Sequence, residues 1–351
     1  KAAKYALYAL EAMRGEAEPC IDPLPQDRRF IDPAWQQPPF NLIHQSFLLT
    51  QQWLWNATNH VTGVTRHHER MVTFTARQAL DVVSPTNFVW TNPEVLRRTV
   101  ETGGANLAGG VTDWWRDLLA GAAGKPPHDG VTFRPGHELA VTPGKVVLRN
   151  DLIELLQYTP ATPTVHAQPV LIIPSPILKY YILDLSPANS LVRYLVEHGH
   201  TVFMLSWRNP DVRDRELGVD HYLRLGIRAA IDAASSITGE KLHAAGYCLG
   251  GTFLAMLAAS LASHGDDRLA SLTLLAAEVD FTEAGELSIF IDDSQLAYLE
   301  DLTWEQGYLD GKQMAGAFTL LNSNDLIWSR IVRQYLMAEP QKMTDLSAWH
   351  A

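Results

Sequence analysis

The spacing of apolar positions changes character near residue 130. Over 41–60, Leu42, Ile43, Phe47, Leu48, Trp53 and Leu54 recur close to the 3.6-residue period, which predicts a helix. A second helical pattern covers 67–82 and stops at Ser84-Pro85, because a residue preceding proline is pushed out of the helical region. Asn92-Pro93-Glu94 opens a third helix with proline at its first position. A fourth spans 106–119. An irregular lead-in over 27–40, rich in proline and aromatics, precedes these helices, and 121–130, with Pro126-Pro127, reads as a linker. Residues 1–130 are therefore expected to form a helical domain.

After the linker, strand and helix patterns alternate. Runs at 145–149 and 152–158, joined by Asn150-Asp151, read as paired strands. The continuous apolar run 169–173 reads as a strand buried on both faces. Then follow a helix (188–198), a strand (201–206), a helix (219–237), a strand (242–246), a very apolar helix (249–263) and a strand (272–276). Such alternation implies βαβ crossovers and a largely parallel sheet. The fold class is α/β, with residues 131–351 forming the core and a helical cap region starting near 280.

Composition narrows the function. With 46% apolar and 19% charged residues the 351-residue chain has ample material for a core. A net charge of −11 argues against non-specific nucleic-acid binding, which needs cationic density. Two cysteines exclude a disulfide framework and a multi-cysteine zinc site, and make a reducing compartment the default. The apolar stretch 170–185 is too broken by Pro174, Pro176, Lys179 and Asp184 to span a bilayer. The chain starts at Lys1 without a signal-like segment, which suggests processing or a fragment.

Candidate chemistry centres on Gly246-Tyr247-Cys248-Leu249-Gly250-Gly251, at the junction of a strand and the apolar helix. This is a nucleophile-elbow pattern with cysteine as the nucleophile. The nucleophile occupies a strained turn, and small flanking residues let strand and helix approach closely. The positive end of the helix behind Cys248 favours an anionic sulfur, and the Leu249 amide is placed to receive an oxyanion. Taken alone, a cysteine beside a glycine-rich turn is more often a packed side chain. The junction within an α/β alternation is what favours catalysis here. Cys20 has no such context.

In this fold a second oxyanion amide comes from the loop after the third strand, here Pro174 to Tyr181. Pro176 has no N–H, so Ile177 is the candidate donor, against the alternative of a proline-stiffened loop that merely covers the sheet end. A base and an acid should follow the nucleophile. Only His264 and His350 follow it, one ending the elbow helix and one at the chain's end. Asp280 could be the acid or a turn residue. No further strand follows to carry an acid and a histidine, so the expectation is a nucleophile without its base. His67, His68 and His243 precede the nucleophile and lack metal-ligand spacing.

Specific stretches carry a family resemblance: 27–35, Ser84-Pro85-Thr86-Asn87-Phe88, Glu101-Thr102-Gly103-Gly104, 179–185, Ser206-Trp207-Arg208-Asn209-Pro210, 246–252 and Asn324-Asp325-Leu326-Ile327-Trp328. In these the chain resembles polyhydroxyalkanoate synthases over nearly its whole length. The resemblance implies an α/β-hydrolase core with a helical N-terminal domain. It also implies polymerisation of (R)-3-hydroxyacyl-CoA into polyester with release of CoA, and an acyl-enzyme on Cys248. No cofactor or metal is implied, CoA being part of the substrate. The growing polyester, a polyhydroxyalkanoate granule surface in the cytoplasm and a second copy of the chain are the implied partners. The long N-terminal region points to the single-subunit classes, and Leu249-Gly250-Gly251 to the short-chain-monomer class. The family's catalytic Asp and His follow a stretch like 344–349, so neither is assigned in this chain, which is expected to be truncated at both ends and nearly inactive. Trp349 and its neighbours lie near a subunit contact in the family.

Leu178 stands where the family commonly has Asn, which places the oxyanion loop's geometry in question. Two other readings are a cysteine esterase or thioesterase using Asp280 and His350, and a catalytically inactive granule-associated paralogue.

Overall fold

A computed structural model describes residues 2–12, 18–123, 134–311 and 323–339, with Gly316, Thr319 and Leu321 between the last two stretches. The linker from 124 onward, His350 and the stretch 344–349 lie outside the described residues.

The strands follow the apolar rhythm. β1 (Gly144–Arg149), β2 (Ile153–Tyr158) and β3 (Val170–Ile173) come first, followed by a small antiparallel pair, β4 (Asp184–Ser186) with β5 (Asn189–Ser190). The sheet is completed by β6 (Val202–Trp207), β7 (Leu242–Tyr247) and β8 (Leu269–Leu275). The six-stranded order is β1-β2-β6-β3-β7-β8. β1, β2 and β6 run antiparallel to their neighbours in turn, whereas β6, β3, β7 and β8 are parallel. The protein thus has the mostly parallel α/β architecture expected. Asn150 closes the β1–β2 turn by accepting from the amides of Leu152 and Ile153 at 2.9 Å each.

Alternation along the central strands splits the core into two layers. Leu171, Ile173, Phe203 and Leu205 face one side. There they pack against α8 (Ala229–Thr238), the π-helical turn Tyr222–Arg228 that follows α7 (Val219–His221), and α9 (Leu249–Ser263). Ile172, Val202 and Met204 face the other side, against Val192 and Val196 of α6 (Leu191–Glu197). That helix starts three residues later than the sequence spacing predicts. Residues 189–190 pair with β4 instead, and Ser190 caps α6 by accepting from the Arg193 amide. β8 is an edge strand whose Leu272, Leu274 and Leu275 are exposed.

The helical region has its own interior. α2 (Phe40–Thr58), α3 (Arg66–Val82), α4 (Pro93–Glu101) and α5 (Ala105–Ala122) match the sequence expectation, and an additional helix, α1 (Ala2–Ala12), precedes them. Asn92 caps α4 through Pro93, accepting from the amides of Glu94 and Val95. Trp35, wholly buried, packs edge-on to Phe30 with 5.0 Å between ring centres. Arg29 pairs with Asp27 and Asp81 at 2.7 and 2.6 Å in the same interior.

Two compact units result, and the helical one is discontinuous: among the described residues, 286–290 and 323–339 cluster with 2–12 and 18–123. Arg77 pairs with Glu286, Phe290 meets Phe74 edge-on, and Ser323 donates to Gln78. The turn Ile331–Leu336 lies along α5, where the Gly110 Cα sits against the Tyr335 backbone and Asn106 donates to the Leu336 carbonyl at 2.7 Å. Of the final stretch beyond 280, which the sequence pattern places with the α/β core, the described residues 281–285 and 291–311 cluster there. α10 (Asp293–Gln306) lies in that part.

Candidate functional site

The elbow is built by close approach. Cys248 links β7 to α9 at φ 53 and ψ −131, a left-handed conformation that L-residues rarely adopt. Each flanking glycine is required by what lies against it. A Cβ on Gly246 would sit 2.4 Å from the Gly251 Cα. On Gly250 it would sit 2.4 Å from the carbonyl oxygens of both Ile173 and Pro174, and on Gly251 2.5 Å from the Ala277 Cβ. Real contacts never come that near, so α9 can lie across the ends of β3 and β8 only without side chains at these positions.

Hydrogen bonds then lock the turn. The Cys248 amide donates to the Leu275 carbonyl at 2.9 Å, continuing the β7–β8 ladder. The Cys248 carbonyl receives the amides of Gly251 and Thr252 at 2.8 and 3.2 Å. The buried Thr252 hydroxyl donates to the Glu278 carbonyl at 2.7 Å and ties α9 to the segment after β8. Cys248 itself is half-buried and its thiol is free. Leu249 is the first residue of α9, and the first four amides of a helix have no partner inside it.

The loop after β3 abuts the elbow through Ile173 and Pro174, and Ile177 is 40% exposed. Ser175 is fully buried, and its carbonyl receives the Leu178 amide at 3.1 Å to close a tight turn. The half-buried Leu178 replaces the expected asparagine.

Support for this loop comes from Trp207, a residue the sequence marks only by its motif. Its indole N–H donates to the Pro174 carbonyl at 2.8 Å. Its ring lies flush on Gly226, where a Cβ would come within 2.4 Å. Trp207 also meets Tyr222 at 5.4 Å between ring centres, and Tyr222 in turn meets Phe253 of α9 at 6.0 Å. Arg208 beside it bonds Asp211, Asp214 and the Asp151 carbonyl, fixing the turn after β6.

His264 and His243 lie away from the elbow. His264 caps the far end of α9, its ring bonded to the Ser260 carbonyl at 2.7 Å. At 1.5 Å per residue, a 15-residue helix puts it roughly 20 Å from Cys248. His243 lies at the start of β7, the end opposite the elbow, bonded to Ser271 at 2.7 Å. Asp280 is exposed and accepts from the Thr282 amide and hydroxyl, which hold its carboxyl below the usual range. It is a turn residue in this structure. Cys20 is buried against Tyr8 and Leu49, and burial pushes its thiol up. Among the described residues no group of three His, Cys, Asp or Glu side chains is placed to hold a metal, and no helix is long and apolar enough to cross a membrane.

The chain is similar to known proteins over nearly its whole length. Residues 26–195 match the family model described as "Poly-beta-hydroxybutyrate polymerase (PhaC) N-terminus". The chain is 45% identical over 353 aligned positions to the poly(3-hydroxyalkanoate) polymerase of Methylorubrum extorquens, covering 99% of this chain and 58% of that protein. It is 39% identical to the polymerase subunit of Rhizobium meliloti (97% of this chain, 57% of the relative) and 38% identical to that of Cupriavidus necator (96% and 57%). The chain therefore spans less than two thirds of the length of these relatives. The likeness runs through both units and includes the elbow, and on that ground the chain belongs to the poly(3-hydroxyalkanoate) polymerase family.

Proposed function

We propose that the protein to which this chain belongs polymerises (R)-3-hydroxyacyl-CoA into polyhydroxyalkanoate, with Cys248 as the acyl carrier. The observation that supports the reading most directly is the Cys248 backbone at φ 53, held in a turn that only glycine neighbours permit. Strain of that kind at a strand-to-helix junction presents the sulfur at the sheet edge. The sulfur attacks the thioester carbonyl, the bond from that carbonyl to the CoA sulfur breaks, and CoA leaves as the thiol. Exchange of one thioester for another is nearly neutral in free energy, so the acyl-enzyme remains reactive. The hydroxyl ending the growing chain then attacks the acyl carbon. An ester forms, and the hydroxyl's proton returns to Cys248. The Leu249 amide at the start of α9 is aimed to receive the oxyanion of both steps. The Asp and His that complete such a site are not assigned to residues of this chain.

The helical unit exposes Trp53, Trp55, Trp90, Trp114 and Trp115, an apolar surface suited to a polyester granule. The chain is tested by incubation with (R)-3-hydroxybutyryl-CoA, followed by mass analysis of the Cys248 peptide. An acyl adduct absent from Cys248→Ser supports the reading. Release of free hydroxy acid without an adduct or polymer favours a thioesterase. Granule association by a chain that forms no adduct favours an inactive paralogue.

A further inference from the structure

We propose that the side-chain hydroxyl of Ser175 is an oxyanion donor for acyl transfer at Cys248, acting beside the Leu249 amide. The inference rests on the reading of Cys248 as the acyl carrier. Its starting point is position. The carbonyls of Ile173 and Pro174 lie directly against Gly250, the second residue of α9, so the next residue, Ser175, sits beside the first turn of the elbow helix.

Burial is the second observation. Ser175 has no exposed surface, and its hydroxyl oxygen has no hydrogen-bond partner. Hydroxyls shut away from water are costly to leave unpaired, and native proteins retain few of them without a purpose. The backbone around it is already committed. The Pro174 carbonyl holds the Trp207 indole, and the Ser175 carbonyl holds the Leu178 amide.

Rigidity is the third. Prolines flank Ser175 on both sides, and Trp207 anchors the loop through Pro174. A donor fixed in a dry site needs no reorganisation when negative charge appears on the carbonyl oxygen, which is where such donors contribute most. Ile177, whose amide is the donor that the sequence suggests, is 40% exposed as a residue, whereas Ser175 is wholly buried.

The test separates oxyanion chemistry from thiol reactivity. S-acylation of Cys248 by an (R)-3-hydroxybutyryl thioester passes through a tetrahedral oxyanion: the new carbon–sulfur bond forms, the old one breaks, and the departing thiol takes the Cys248 proton. Alkylation by iodoacetamide displaces iodide directly and forms no oxyanion. Both rates are measured on the chain by mass analysis of the Cys248 peptide. Ser175→Ala is expected to slow acylation by about 10- to 100-fold, the range below that of a lost oxyanion donor in a complete enzyme, and to leave alkylation within about twofold. Ser175→Thr, which keeps the hydroxyl, is expected to recover most of the acylation rate. Equal slowing of both reactions, or of neither, overturns the proposal. If Ser175→Ala fails to fold by circular dichroism, Ser175→Gly takes its place with the same criteria. If the unsubstituted chain is alkylated at Cys248 but never acylated, the acyl-carrier reading falls and takes the role of Ser175 with it.

Discussion

Replacing Cys248 by glycine should give a more stable protein than replacing it by alanine. At an ordinary backbone position, alanine in place of glycine stabilises by about 0.4–1 kcal/mol, because the unfolded chain loses less freedom. At φ 53 and ψ −131 the sign reverses. A non-glycine residue held in such a region costs on the order of 1–3 kcal/mol, and glycine escapes that cost. The two terms leave glycine ahead by roughly 1–2 kcal/mol. Both variants lack the sulfur, so the difference isolates the backbone. Urea unfolding of the two variants measures it. With a slope of about 2 kcal/mol per molar urea, the glycine variant should unfold at a midpoint about 0.5–1 M higher. An alanine variant as stable as the glycine variant would refute the view that the elbow stores strain.

Gly250→Ala forces a Cβ to 2.4 Å from two carbonyl oxygens, and should destabilise the α/β unit by about 1–3 kcal/mol or displace the loop at Pro174; thermal unfolding and Cys248 acylation both report it. Iodoacetamide at neutral pH should label half-buried Cys248 faster than Cys20, whose thiol burial pushes up, and equal labelling would contradict an accessible nucleophile. Tyr335 donates to Asp117 at 2.7 Å, and burial, reinforced by that carboxylate, pushes its hydroxyl up to about 12. Because the folded value lies above the usual 10.0, its contribution is intact below pH 10.0 and is lost as pH rises towards 12. Tyr335→Phe should therefore lower stability by about 0.5–1.5 kcal/mol at neutral pH, and the gap to the unsubstituted chain should close across that window.

The elements bearing the elbow were legible because their signals are local. Residues 249–263 form a helix, as their apolar run predicts, and the glycines around Cys248 stand where the turn needs them. What escaped was set by distant partners. The loop contact at Pro174 depends on Trp207 and Gly226, which are far apart in sequence and share no periodicity. The burial of Ser175, two residues before Ile177, likewise depends on that packing and has no local signal in the sequence. Residue 190 begins α6 rather than lying inside it because its hydroxyl serves both Asp184 and the helix cap. The attachment of 323–339 to α3 and α5 rests on single contacts such as Ser323 with Gln78, which no composition signals.

That discontinuous helical unit has a consequence for synthesis. Its helices α1 to α5 leave the ribosome first, yet their partners at 286–290 and 323–339 follow about 200 residues later. At about 5–20 residues per second, the nascent helices wait roughly 10–40 s with the faces of α3 and α5 uncovered. The α/β sheet between them can form in the meantime. A chaperone that shields α3 and α5 over that interval would therefore be expected to raise the yield of folded protein more than one acting on the completed chain.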